Sequence, residues 1–215
     1  MTVRVNGISV SLDGYAAGPD QDRDNPLGVG GERLHEWAIA TRTFHEMNGE
    51  EGGSEGIDDE FAAGLRTGIG ATIMGRNMFG PIRGEWGDEE WNGWWGDNPP
   101  YHNDVFVLTN HARKPAVMEG GTTFNFVTDG IESAMERALE AAGDQDVLIA
   151  GGASTIRQYL RAGLIDQMHL AFVPILLGGG ERVFDQPGDA DRYECVGFVP
   201  TDAAIHARFA RTSAR

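Results

Sequence analysis

The chain has 215 residues, 40% of them apolar, with 31 glycines, one cysteine, and 33 acidic against 17 basic residues for a net charge of −16. That length and apolar share support one core without staples, and a lone Cys195 excludes a disulfide framework and any cysteine-based zinc site. Sixteen arginines and one lysine, spread without a patch, argue against nucleic acid, whose affinity comes mainly from neutralised phosphates. No run approaches the roughly 20 apolar residues of a spanning helix, and MTVRVNGISV lacks the layout of a signal peptide. The expectation is a single cytoplasmic domain over 1–215, with no membrane, nucleic-acid or metal partner.

The opening VRVNGISVSLDG reads as a first, central strand that ends at Asp13-Gly14, and residues 18–31 are turn chemistry throughout. Leu34, Trp37, Ala38, Thr41 and Phe44 recur at helical spacing, which predicts a helix from about Glu32 to Met47. Residues 46–60 hold seven acids and four glycines and read as a mobile, solvated loop, with 46–57 as an excursion from the domain. Ile57, Phe61 and Leu65 mark a short second helix, and GIGATIMG is a buried strand ending at Gly75.

The stretch 81–103 carries Trp86, Trp91, Trp94, Trp95 and Tyr101 among Gly, Asp and Pro. Four tryptophans argue against disorder and leave two readings, a lid over core or a subunit contact, or the wall of a substrate pocket to which Trp86 and Trp91 would belong. DVFVLT and TTFNFVT follow as strands, then a helix from Ile131 to Ala142 with Asp129 as its cap candidate. DVLIA is a short apolar strand, GGASTIRQYLRAG a turn into an amphipathic helix closed by Gly163, and DQMHLAFVPIL another strand. RYECVGFV and AAIHARFAR, separated by Pro200-Thr201-Asp202, predict a C-terminal antiparallel hairpin. The pattern is α/β: a mostly parallel central sheet of about eight strands with helices on both faces.

Three strand ends offer small, hydroxyl or cationic residues suited to a nucleotide. In DVLIA-GGAST an apolar strand delivers two glycines into a helix, so backbone can approach a ligand and the N–H groups of Ala153, Ser154 and Thr155 point at it. A tight connection is the alternative reading of that turn. Arg76, just beyond the strand ATIMG, can grip phosphate or stack on a purine, or simply cap a short surface helix. Thr109-Asn110-His111 close the third strand. Together the three would line one crevice at the carboxyl edge of a sheet.

The order SLDGYAAG, MGRNMF, VFVLTN and GGASTIRQYLRAGLIDQMHLAFVPILLGGGERVF resembles the dihydrofolate reductase-like superfamily, most closely its branch containing the reductase domain of riboflavin biosynthesis, the RibD C-terminal domain. The resemblance implies an NADPH-dependent reductase acting on a pterin- or aminopyrimidine-like heterocycle, similar to dihydrofolate reductase or 5-amino-6-(5-phosphoribosylamino)uracil reductase, and a homodimer formed through the C-terminal strands. It also implies that Gly75, Arg76, Asn77 and Met78 hold the adenosine and phosphate end, that Leu108, Thr109 and Asn110 flank the adenosine, and that Gly151, Gly152, Ala153, Ser154, Thr155 and Ile156 wrap the pyrophosphate and nicotinamide. Ser9, Val10, Ala16 and Ala17 would meet the nicotinamide ring.

On the substrate side Asp59 stands at the distance before MGR where the family places its carboxylate. Glu36 and His35 compete for that role, and Asp13 is a further candidate. Each has an alternative reading, Asp59 as a solvated acid and Asp13 as the residue that fixes the turn after the first strand. The H-x-E and C-x-x-C pair of the deaminase that accompanies many riboflavin reductases does not occur in this sequence. Two other readings remain, a nucleotide-binding protein without turnover and an interaction protein that uses its tryptophan loop.

Overall fold

A computed structural model describes residues 1–80, 84–87 and 91–212. Eleven strands occur among these residues: β1 Val3–Ser11, β2 Tyr15–Ala17, β3 Ile69–Gly75, β4 Asp104–Leu108, β5 Ala116–Val117, β6 Thr123–Val127, β7 Asp146–Gly151, β8 Gln167–Val173, β9 Glu181–Arg182, β10 Tyr193–Pro200 and β11 Ile205–Arg211. Six helices accompany them: α1 Glu36–Ile39, α2 Arg42–Met47, α3 Ile57–Gly64, α4 Arg76–Phe79, α5 Ile131–Ala142 and α6 Ala153–Ala162. Nine of the strands form one sheet in the order β10-β11-β8-β1-β7-β3-β4-β6-β5, while β2 and β9 pair by themselves. From β8 to β6 every neighbour is parallel; β10, β11 and β5 are antiparallel. The sequence pattern indicates about eight strands, and the two-residue β5 makes the ninth.

Strand periodicity sorts side chains between two faces. Val3, Val5, Ile73, Phe106, Val127 and Ile149 meet Ala134, Met135 and Ala138 of α5 and Ile156, Tyr159 and Leu160 of α6. Full burial of Ile156 is worth roughly 1.5–3 kcal/mol. Tyr159, equally buried, donates its hydroxyl to the Ile131 carbonyl at 2.9 Å and so joins the two helices. The opposite face has two covers. Leu34, Trp37 and Ala62 lie over Ala171 and Val173. Met74, Val105, Val107 and Phe124 lie under Phe79, Tyr101 and the tryptophan loop.

The helix expected over 32–47 is three pieces: a 3-10 segment Gly31–His35, then α1, then α2. Thr41 makes the break. It is fully buried, its hydroxyl donates to the Ala38 carbonyl at 2.6 Å and accepts the Phe44 N–H at 3.2 Å, so it ends one helix and caps the next. The acidic loop expected to be mobile is pinned here, because Ser54 N–H donates to Ala40 and Ser54 carbonyl accepts from Arg42. At α5 the cap position is Gly130, not Asp129, whose carboxylate accepts from Ser133 Oγ at 2.9 Å and Arg137 at 2.8 Å. Gly163 closes α6 in the left-handed conformation, at φ 68°.

A polar relay lies beneath α3. His206 Nε2 and Asp58 are 2.7 Å apart, and His206 Nδ1 lies 3.0 Å from His169 Nε2. A carboxylate only accepts, so His206 donates to Asp58 from Nε2. Phe61 stacks on both imidazoles, at 4.6 and 4.0 Å, and burial pulls the His169 pKa down to about 3.

Candidate cofactor cleft

Strands β1, β3, β4, β6 and β7 all run toward the same edge of the sheet, and there a cleft of about 860 Å³ opens. Gly75, Leu108, Val127 and Gly151, the last residues of β3, β4, β6 and β7, line it, with Ser9 two residues before the end of β1. A crevice outside the carboxyl ends of parallel strands is where open α/β sheets bind ligands.

The β7–α6 turn forms its floor. The Gly151–Gly152 peptide is cis, and Gly151 has φ 129°, a conformation open to glycine. A Cβ on Gly152 would meet nothing within 4 Å, so that residue faces open space. Of the three amides expected to be open, Thr155 N–H is taken, donating to the Gly152 carbonyl at 3.0 Å as does Ile156 at 3.1 Å. Ala153 and Ser154, the first two residues of α6, have no intrahelical acceptor and line the cleft.

Strand β3 packs directly against this turn, and a Cβ on Gly75 would come 2.3 Å from Thr155 Oγ1. Arg76, Asn77 and Met78 continue the wall. The Arg76 guanidinium is 3.5 Å from Thr109 Oγ1 and stacks 3.7 Å from the Trp86 ring centre. The structure therefore brings Gly75–Met78, Leu108–Asn110 and Gly151–Thr155 around one cavity, which Ser9, Ala16, Ala17 and His35 also line.

Other sequence candidates lie elsewhere. Val10 and Ile156 point into the core between the sheet and α6. Trp86 packs on Phe79 and Phe126 and donates to the His111 carbonyl at 2.8 Å, while Trp91 donates to the Phe79 carbonyl at 3.1 Å. The tryptophans that line the cleft are Trp94 and Trp95.

Of the carboxylates considered for substrate, Glu36 is exposed away from the cleft. Asp59 is buried outside it, accepting the Thr43 N–H at 2.8 Å with Arg42 at 3.3 Å; the Thr43 bonds and then Arg42 hold its pKa down. Asp13 accepts from Ser11 Oγ at 2.6 Å and from the N–H groups of Leu177 and Gly178 at 3.1 and 2.7 Å, which lowers its pKa to about 2. Both acids organise turns. Arg182 bonds to the Asp13 carbonyl and the Tyr15 hydroxyl.

Sequence reasoning missed Gln21, Pro26 and Leu27 in the cleft lining, and Thr128 and Gly130 beyond β6. Thr128 and Gly130 had a signal, since they close a fourth strand running to the same edge; the others sit in a loop without periodicity. Among the described residues no three His, Cys, Asp or Glu side chains gather as a metal site, and no helix is long and apolar enough to cross a membrane.

The family model of the RibD C-terminal domain matches residues 2–207. The chain belongs to this family. The fold is shared with solved structures of distant sequence. A Shewanella sp. PV-4 protein named for riboflavin biosynthesis is 24% identical, with TM-score 0.61 over 99% of this chain and 100% of its own. Dihydrofolate reductase from Enterococcus faecalis, solved with NADP(H) and RAB-propyl, is 13% identical, with TM-score 0.55 over 98% and 97%. No curated protein matches the chain. The mostly parallel sheet with its C-terminal antiparallel strands is thus the dihydrofolate reductase-like fold that the RibD C-terminal domain shares.

Proposed function

We propose that this RibD C-terminal domain protein is an NADPH-dependent reductase that passes a hydride to a C=N or C=O bond of a small heterocyclic substrate. The observation that carries the reading is the meeting, in one cleft, of the Gly151–Ser154 turn with the Gly75–Met78 wall. The residues present fit the cofactor: open amides and a glycine without neighbours suit a diphosphate, and a guanidinium suits its adenosine end.

Bound there, NADPH would supply the hydride. The protein's part is placement. Amides of Ala153 and Ser154 hold negative charge at the α6 N-terminus, where the helix dipole adds to their attraction. Met78 and Ile8 make the wall beside Gly151, and Trp94, Trp95 and Leu27 add apolar lining that keeps water out, the condition for orienting a reaction that water would otherwise compete with.

Fluorescence titration with NADPH, followed by cofactor consumption over a panel of pterins, aminopyrimidines and small carbonyl compounds, tests the reading. Saturable quenching with consumption supports it; absence of NADPH binding overturns it. Quenching without consumption selects the second reading, a binder without turnover. That reading is favoured by one observation: Asp13, Glu36 and Asp59 all lie away from the cleft lining.

The assembly we propose is a homodimer through β10, an edge strand that exposes Val196 at 60% and Phe198 at 69%, beside Ile205 at 44%. The exposed free thiol of Cys195 accords with a reducing, cytoplasmic setting.

A further inference from the structure

Besides the strand ends, the cleft is lined by Ala16, Ala17, Gln21, Leu27, His35 and Trp94, which on the reductase reading are left to face the substrate. Five of the six histidines have a polar partner. His45 faces the Glu51 carbonyl, His102 the Gly120 carbonyl, His111 lies 3.0 Å from Glu85, and His169 and His206 face each other. His35 has none among the described residues, and it lines the cavity. Its backbone ends the 3-10 segment Gly31–His35, whose Leu34 is fully buried, so the ring is held by packed structure and not by a loose loop.

Around it, charge is scarce. Glu181 is the one carboxylate that lines the cleft among the described residues; it stands opposite Ala17 across the β2–β9 pair, and its charge is already engaged by Arg157 at 3.3 Å. Desolvation lowers the His35 pKa to about 4, so at neutral pH the imidazole carries no charge and offers one N–H donor and one acceptor. A neutral group of this kind can bond a carbonyl or a ring nitrogen. It cannot compensate a buried amidinium or guanidinium, which needs a carboxylate to offset its desolvation.

Resting on the reductase reading, we propose that His35 is the specificity-determining residue of the substrate half, selecting a neutral planar ring that presents a carbonyl or ring nitrogen to the imidazole and rejecting rings that carry an amidinium. Trp94 and Trp95 add apolar wall suited to a flat ring. The selection works by exclusion as much as by attraction, because the rejected cation loses its hydration and gains no counter-charge.

The test uses a matched pair, 2-naphthamide and 2-naphthamidine, titrated by calorimetry into the full-length protein with saturating NADPH. The neutral amide is expected to bind at least tenfold tighter than the cationic amidine. His35→Leu should lose at least tenfold in amide affinity, His35→Gln should stay within about threefold of the parent, and His35→Asp should reverse the preference. Equal or tighter binding of the amidine by the parent protein, or an amide affinity unchanged in His35→Leu, overturns the proposal. The NADPH-induced rise in melting temperature is measured alongside on each variant. Its absence in the parent protein overturns the reductase reading, while the amide-to-amidine ratio, repeated without cofactor, still decides the role of His35.

Discussion

Acid should destabilise this protein in two stages, the first owed to histidines. His35 and His169 are held neutral by burial, with pKa values lowered to about 4 and about 3, against 6.5 when unfolded. Between pH 6.5 and the folded values the unfolded chain binds protons that the folded chain refuses, so stability is complete above 6.5 and falls as pH falls. From pH 7 to 5 each histidine withdraws up to about 1.36 kcal/mol per pH unit below 6.5, or about 2 kcal/mol apiece. His35 opens partly to the cleft, which trims its share, leaving a combined loss of about 3 kcal/mol. Against a total of roughly 5–15 kcal/mol, that is a large fraction. The depressed carboxylates, Asp13 and Asp59, act in a separate window, because their stabilisation is lost only as pH drops below about 4. Urea unfolding at pH 7 and pH 5 reads the effect directly. With a slope of about 2 kcal/mol/M, the midpoint should fall by about 1.5 M. His35→Gln combined with His169→Gln should remove most of that pH dependence while lowering stability at pH 7. Midpoints that coincide at the two pH values in the parent protein would refute the reasoning.

Three further outcomes follow from particular contacts. Gly75→Ala drives a methyl into the Thr155 hydroxyl 2.3 Å away, so it should cost about 1–3 kcal/mol and weaken NADPH binding; adding Thr155→Ala should restore stability in melting experiments. Asp59→Ala strands the Thr43 N–H and should cost about 1–3 kcal/mol in urea unfolding, with NADPH affinity within about twofold of the parent. Phe198→Lys places charge on the β10 edge and should shift the protein toward monomer in light scattering; a monomeric parent protein would remove the β10 dimer.

What could be read from the chain and what could not divides along a physical line. The order of strands and helices was legible because apolar runs such as DVLIA and GATIM and the amphipathic spacing of α6 are local properties, and a strand that ends in Gly-Gly before a helix has few ways to turn. The convergence of Gly75, Leu108 and Gly151 was legible too, since parallel strands joined by right-handed crossovers must bring their carboxyl ends to one edge. Direction was not legible. Asp59 stands at the expected distance before Gly75, but distance along a chain does not say which way a side chain faces, and the free N–H groups opening α2 claimed its carboxylate. Nor could a loop without period reveal that Trp94 and Trp95, rather than Trp86 and Trp91, face the cleft.

The break at Thr41 shows why such failures gather in the loops and short helices. The apolar spacing from Leu34 to Phe44 continues through it, so periodicity alone favours one helix. Thr41 ends the helix because its hydroxyl can satisfy the Ala38 carbonyl and the Phe44 N–H at once, and Ser54, brought there from the acidic loop, satisfies Ala40 and Arg42. Those partners are supplied by tertiary structure, which local spacing does not record. One part of the cleft is made of strand ends, whose positions the sheet dictates. The rest of the lining is made of loops and short helices fixed by such long-range bonds, and for that reason one fold can keep a cleft at its strand ends while the residues around it change.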